Sequence, residues 1–233
     1  MTSRYRQRRD PAGGAGARRE QAGPRRDEAG PLVVRSAPAV PVAAVLLLHG
    51  GRSEGLEPPP AINLPALRMR PFAAAVSRAL SGRDVLVAEV RYRHRGWNGE
   101  RRDAARDAEA ALVRLRERYG AVPVVLVGHS MGGRAALSAA RDPMVRGVVG
   151  LASWCPPDEP VGHLRGRAVY LLHDEADRVT SARESWEFVR RARSAGADAV
   201  GVPMPRGGHA MLAGASRWHR RTAELTARLL FHR

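Results

Sequence analysis

Six short runs in this chain, residues 43–48, 85–90, 123–127, 145–151, 168–172 and 199–203, are apolar, several of them at nearly every position. A strand with one wet face alternates apolar and polar side chains. One that does not alternate has to be covered on both faces, which happens where helices pack on either side of a parallel sheet. The segments between the runs carry a helical period instead. Ala104, Ala108, Ala111, Leu112, Leu115 and Tyr119 fall on one helical stripe, and Ala182, Trp186 and Val189 on another. Ser181 and Glu184 stand in capping-box spacing at the start of that second helix. A last helix is expected over residues 217–231, with Trp218, Thr222, Leu225 and Leu229 facing inward. The expected fold class is therefore α/β, a mostly parallel sheet with helices on both faces.

At 233 residues the chain is long enough for one sizeable core, and no internal repeat suggests a second domain. Residues 1–30 differ in kind. They hold eight arginines and four acids among Gly, Ala and Pro, with almost nothing apolar to offset the entropy of ordering. They read as a disordered Arg/Gly/Ala-rich tail, and residues 31–233 as the catalytic domain. The formal charge of +16 raises the question of nucleic acid. All 39 basic residues are arginine, however, a bias of base composition, and no basic stretch is interleaved with aromatics as a single-strand platform requires. No nucleic-acid partner is expected. The longest unbroken apolar run, residues 42–48, is far short of the roughly 20 residues that span a bilayer. The arginine pairs near the start are not followed by the apolar core of a secretion signal. The single cysteine, Cys155, permits no intrachain disulfide, and a cytoplasmic location is expected.

The chemistry centres on Gly128-His129-Ser130-Met131-Gly132, directly after one apolar run and directly before a stretch of small residues. A G-x-S-x-G sequence at a strand-to-helix junction is a nucleophile elbow, whose sharp turn lifts the serine oxygen clear of the sheet. Serine is a poor nucleophile near neutral pH. It needs a base titrating close to pH 7, held in the right tautomer by a buried acid. Candidates follow the next strands in order: Asp177 in His173-Asp174-Glu175-Ala176-Asp177, and His209 in Arg206-Gly207-Gly208-His209. Asp177 is assigned as the acid, with Asp174 and Asp158 as competitors. His49-Gly50-Gly51-Arg52 after the first run offers backbone donors for an oxyanion. One donor is assigned to the N–H of Met131 and the other to Gly51, with Arg52 as the alternative.

Taken together, His49-Gly50-Gly51, Gly128-His129-Ser130-Met131-Gly132-Gly133, His173 through Asp177 and Gly208-His209 resemble the α/β-hydrolase superfamily, in particular its small lidless esterase-like and dienelactone-hydrolase-like members. The resemblance covers nearly all of residues 33–233. It departs from pattern at the acid, where His173 is followed by Asp174 in place of the usual glycine. It implies a serine hydrolase acting on a carboxylic ester or related acyl bond through an acyl-enzyme. Thioesterase, small-peptide hydrolase and non-turnover receptor are the alternatives on the same scaffold.

Trp154 is expected to form a pocket wall, and Tyr92 is named with it as a substrate contact, while Trp97 is expected to anchor its loop. The remaining histidines show no metal-ligand spacing, so neither metal nor organic cofactor is expected, and the partner is a small acyl substrate. The connection between the strands ending at 151 and beginning at 168 has room for one short helical turn and no cap domain.

Overall fold

The computed structural model describes residues 30–231, so the expected tail at 1–30 lies almost wholly outside the described residues. Seven strands form one sheet: β1 (Leu32–Ser36), β2 (Ala43–Leu48), β3 (Val85–Val90), β4 (Val124–His129), β5 (Val145–Leu151), β6 (Ala168–His173) and β7 (Asp198–Pro203). Their spatial order is β1-β3-β2-β4-β5-β6-β7. All pairs are parallel except β1 with β3, where an antiparallel edge strand closes one side. The helices are α1 (Leu64–Ala79), α2 (Asp103–Tyr119), α3 (Met131–Ala139), α4 (Ala182–Ser194) and α5 (Ala215–Phe231).

Alternate residues of each central strand enter two separate cores. Ala44, Leu46 and Leu48 of β2 join Leu126 of β4 beneath α2, α3 and α4. Ala43, Val45 and Leu47 join Val125 and Val127 against Phe72 of α1 and Trp218 of α5. The unbroken apolar runs are thus the sum of two alternating faces, each covered by helices. At α4 the inward face is centred on Phe188, which is fully buried, rather than on Trp186, which is half-buried. Ser181 caps that helix by accepting from the Glu184 N–H at 3.2 Å.

β1 and α1 were not among the expected elements. β1 is a five-residue edge strand with only three partly buried positions. α1 carries proline near its start and Pro71 inside, which removes an intrahelical hydrogen bond. It forms nonetheless because Met69, Phe72 and Val76 are buried against the second core.

β2 sits between β3 and β4, so the chain reverses its direction of travel across the sheet there, and a crevice opens at the carboxyl ends of the strands around that point. The register sets those ends side by side: Leu48 pairs with Gly128, His129 with Leu151 and His173 with Pro203. The loops after β2, β4, β5, β6 and β7 therefore share one rim. The β5–β6 connection contains one 3-10 turn, Gly162–Leu164, and no cap domain. Among the described residues no helix is long and apolar enough to cross a membrane.

Candidate active site

Ser130 is the hinge between β4 and α3. Its backbone adopts φ 55°, ψ −121°, a strained conformation for a residue with a side chain. The strain is fixed from several sides: Ser130 N–H donates to Leu151 O at 3.0 Å, and its carbonyl accepts from Gly133 N–H at 2.9 Å and Trp154 N–H at 3.2 Å. Glycine is required on either side of the turn. A Cβ at Gly128 would lie 2.2 Å from Gly132 O, and one at Gly132 would lie 2.4 Å from Leu48 O and His49 O. The helix start is therefore pressed against both the nucleophile strand and the loop after β2.

Asp177 and His209 meet across the loops after β6 and β7. His209 Nδ1 lies 2.9 Å from Asp177 Oδ2, and the Asp177 side chain is fully buried. An ionised carboxylate only accepts, so Nδ1 carries the proton and Nε2 is left as the basic nitrogen. The same Oδ2 is 2.9 Å from Thr180 Oγ1 and 3.2 Å from His173 Nε2, while Oδ1 accepts from Val179 N–H at 2.7 Å and Thr180 N–H at 3.1 Å. Burial pushes the Asp177 carboxyl up. The hydrogen bonds from Val179, His209 and Thr180 outweigh that and hold it below the usual carboxylate range.

The two competing acids are elsewhere. Asp158 is exposed on the β5–β6 loop. Asp174 accepts from Gly208 N–H at 2.7 Å and from Ala176 N–H at 3.0 Å, so it ties the loop that carries His209 to the loop that carries Asp177. From the other side His129 Nε2 donates to the His209 carbonyl at 2.9 Å, with the two rings 4.8 Å apart. Burial drives His129 down to about 3, so it stays neutral and keeps one N–H to give. The hydrogen-bonding partners of His209 are Asp177, Thr180 and His129, and Ser130 is not among them.

A pocket of about 410 Å³ opens over Ser130, lined by Gly51, Arg52, Ser53, Glu54, Met131, Trp154, Val179 and Thr180. Of the two candidate donors after β2, Arg52 N–H is already given to Arg95 O at 3.0 Å. That bond belongs to a backbone zipper between residues 52–57 and 95–98, in which Trp97 N–H also donates to Arg52 O and Gly96 N–H to Gly55 O. Gly51 sits where a Cβ would come within 2.4 Å of Met131 Cε and 2.5 Å of Arg95 O, so no larger residue fits beneath the pocket without movement.

Trp154 lines this pocket, and Tyr92 does not. Tyr92 is 3% exposed and packs edge-on to His49 with ring centroids 4.5 Å apart. It continues the alternation of Leu86, Ala88 and Val90 into the first core, which removes it from the expected substrate contacts. Trp97 is buried under its loop. The guanidinium of Arg134 lies 4.0 Å from the Trp97 ring centre and 4.4 Å from that of Trp154, and it pairs with the buried carboxylate of Glu159. The pocket wall is thus backed by a cation between two aromatic rings.

Sequence reading did not find Arg134, Thr180 or the contact of His173 with Asp177, and it weighed Asp174 as a competing acid rather than as the tie between the two loops. The Asp177-to-Thr180 spacing of a side-chain-capped turn was a readable signal for Thr180, whereas the other contacts join separate elements. Among the described residues, no group of three or more His, Cys, Asp or Glu side chains is arranged to hold a metal ion.

A strand-turn-helix elbow at the carboxyl edge of a parallel sheet, with an acid and a histidine on later loops, defines an α/β-hydrolase architecture. The sequence profile of the alpha/beta hydrolase fold matches residues 43–192, well over half of the chain, and the protein belongs to that family. The match ends before His209. No curated protein matches the chain. Solved structures do. The esterase domain of a Rhodothermus marinus protein is 18% identical, with 84% of this chain and 91% of that one covered, at a TM-score of 0.57. A Xanthomonas campestris α/β serine hydrolase without a lid is 16% identical over 85% and 84%, at 0.56. A thermophilic esterase from Thermogutta terrifontis, solved with propionate bound, is 19% identical over 85% and 88%, at 0.61. At these identities the likeness is one of fold.

Proposed function

We propose that this protein is a serine hydrolase of carboxylic esters or closely related acyl bonds, with Ser130 as nucleophile, His209 as general base and Asp177 as the acid that orients it. The observation that carries this reading is the buried Asp177 carboxylate bonded to His209 Nδ1, at the rim where Ser130 stands on a strained elbow. His209 Nε2 takes the hydroxyl proton as Ser130 Oγ attacks the carbonyl carbon. The tetrahedral oxyanion is held by the N–H groups of Met131 and Gly51, each worth about 3 kcal/mol in such a site. Collapse expels the alcohol with the proton from His209, leaving an acyl-enzyme. Water then repeats the sequence and releases the acid. The contact between Ser130 and His209 closes with substrate, since catalytic hydrogen bonds are often long in the free enzyme.

Gly51 is preferred to Arg52 as the donor because the Arg52 N–H is already given to Arg95 O. The Thermogutta esterase was solved with propionate, and a small acyl group of that kind suits a pocket of about 410 Å³. The test is labelling by a fluorophosphonate followed by turnover on a panel of acyl esters and thioesters. Stoichiometric labelling of Ser130 with turnover is expected. Labelling without turnover on any panel member would make the protein a receptor on a hydrolase scaffold.

A further inference from the structure

Behind the acid of this site lies a second histidine. His173 ends β6 with its side chain fully buried, and its Nε2 is 3.2 Å from the Asp177 oxygen that also receives His209. On the other side of the ring, Nδ1 is 2.8 Å from Ser185 Oγ of α4, and that oxygen is 4.0 Å from Cys155 Sγ. The donor inventory fixes the protons along this line. A carboxylate donates nothing, so His173 Nε2 must carry the hydrogen, and the neutral ring then accepts at Nδ1 from the Ser185 hydroxyl. The thiol of Cys155, pushed up to about 12 by burial, remains an S–H that can point at Ser185 Oγ.

We propose that His173 is a positioning residue for the proposed reaction, a neutral donor to Asp177 that turns the carboxylate toward His209 and sets the pH at which His209 becomes a free base. The inference rests on the reading of Ser130, His209 and Asp177 as a catalytic set. His173 is a further donor on the oxygen that also receives His209 and the Thr180 hydroxyl, and each such donor spreads the negative charge of Asp177 and weakens its hold on the His209 proton. Removing that donor strengthens the hold, so His209 then deprotonates at higher pH. Burial keeps His173 itself below the ordinary imidazole range, against the opposing pull of Asp177, and so favours its neutral form. The other groups that act on this line are the Thr180 hydroxyl, which reaches Asp177 Oδ2, His173 Nε2 and His209 Nδ1, His129 of β4, Asp174 of the loop after β6, Arg68 of α1 through its effect on His129, and Glu159, Glu184 and Arg191 through theirs on Cys155.

The experiment is an NMR titration of isotope-labelled histidines in the full chain, run beside ester kinetics normalised to the fraction of Ser130 labelled by a fluorophosphonate. In His173→Leu the His209 midpoint is expected to rise by about one pH unit, the size of one lost hydrogen bond to a charged group. The acidic limb of kcat/KM should move with it, and kcat should fall about tenfold with KM little changed. His173→Gln, whose amide nitrogen reaches the Nε2 position, should stay within about threefold of the parent. If the leucine variant does not fold, Ser185→Ala serves. It leaves the ring in place but frees its tautomer, and should move His209 in the same direction by less. A His209 midpoint unmoved in folded His173→Leu, or in Ser185→Ala, would overturn the proposal, as would a glutamine variant as impaired as the leucine one. Failure of the parent to react with the fluorophosphonate would remove the catalytic reading, while the NMR midpoint would still decide whether His173 governs His209.

Discussion

At Ser130 the backbone strain and the proposed chemistry fall on the same residue, and the groups around it divide cleanly by what they touch. Ser130→Ala, His209→Ala and Asp177→Asn should each lower ester turnover by at least about a thousandfold, and double variants should be little worse because the set acts as a unit. Asp174 accepts from Gly208 N–H on Oδ2 and from Ala176 N–H on Oδ1; Asp174→Asn keeps an oxygen for one of them, and because these are backbone N–H groups rather than the His209 ring it should lose far less activity than Asp177→Asn. If Asp174→Asn or Asp158→Asn were inactive and Asp177→Asn active, the acid would be misassigned. A second residue-scale prediction concerns acid stability. The folded state holds His129 far below its unfolded value of 6.5, so below that pH the unfolded chain binds a proton the folded one refuses. Stability should therefore fall as pH drops from about 6.5 toward 3, by up to about 1.4 kcal/mol per pH unit from this residue. His129→Gln, which cannot take up the proton, should flatten that slope in urea titrations at stepped pH. An unchanged slope would place the acid sensitivity on other groups. The candidate acid, base and nucleophile were readable because each chemistry-bearing residue follows an apolar run. The groups behind them were not, because a contact such as His173 with Ser185 depends on where α4 packs, which no local pattern records.

Elements act here through close approach. α3 starts against β4 and the loop after β2 with no room for a methyl group, so Gly132→Ala should shift the helix start. We expect it to lose roughly 2 kcal/mol of stability, as overpacked sites do, with a larger fractional loss of activity, because the N–H of Met131 moves with the helix. Thermal melts with ester assays on the same sample check this, and a stable variant of full activity would show the elbow to be looser than described. The wall behind Trp154 gives a second test. Arg134→Met leaves the carboxylate of Glu159 buried and unpaired, a change expected to cost about 3 kcal/mol. Adding Glu159→Gln should recover a good part of that, and a double variant as weak as the sum of both losses would mean that the pair is not the stabilising feature. Legibility followed the same line at this scale. The central strands and α2 could be read because their periodicity is set by burial on both sides of the sheet. α1 was obscured by proline within it, and its formation depends on the core face it covers.

For the whole molecule, the open rim decides what can bind. A pocket of about 410 Å³ with no cap over it among the described residues can enclose a short acyl group. A long chain leaves its outer methylenes in water and forgoes up to about 0.8 kcal/mol for each. Acetyl to hexanoyl esters should therefore be hydrolysed faster than dodecanoyl and longer ones, without a jump in rate as substrate passes its solubility limit, since no cover has to open. Rates against acyl length on both sides of that limit provide the measurement. A preference for long chains, or activation at the interface, would require a deeper channel than this pocket.

Residue order alone determined the sheet class, the elbow and the sequence of candidate acid and base, because burial on two faces, a strained turn and a titratable pair each leave a local mark. Tertiary structure decided three further matters. It committed the Arg52 N–H to Arg95 and so left Gly51 as the candidate donor, it turned Tyr92 into the core, and it set His173 behind Asp177. Each of these depends on two segments distant in sequence meeting within hydrogen-bond or van der Waals reach, and only the packed sheet and helices fix that meeting.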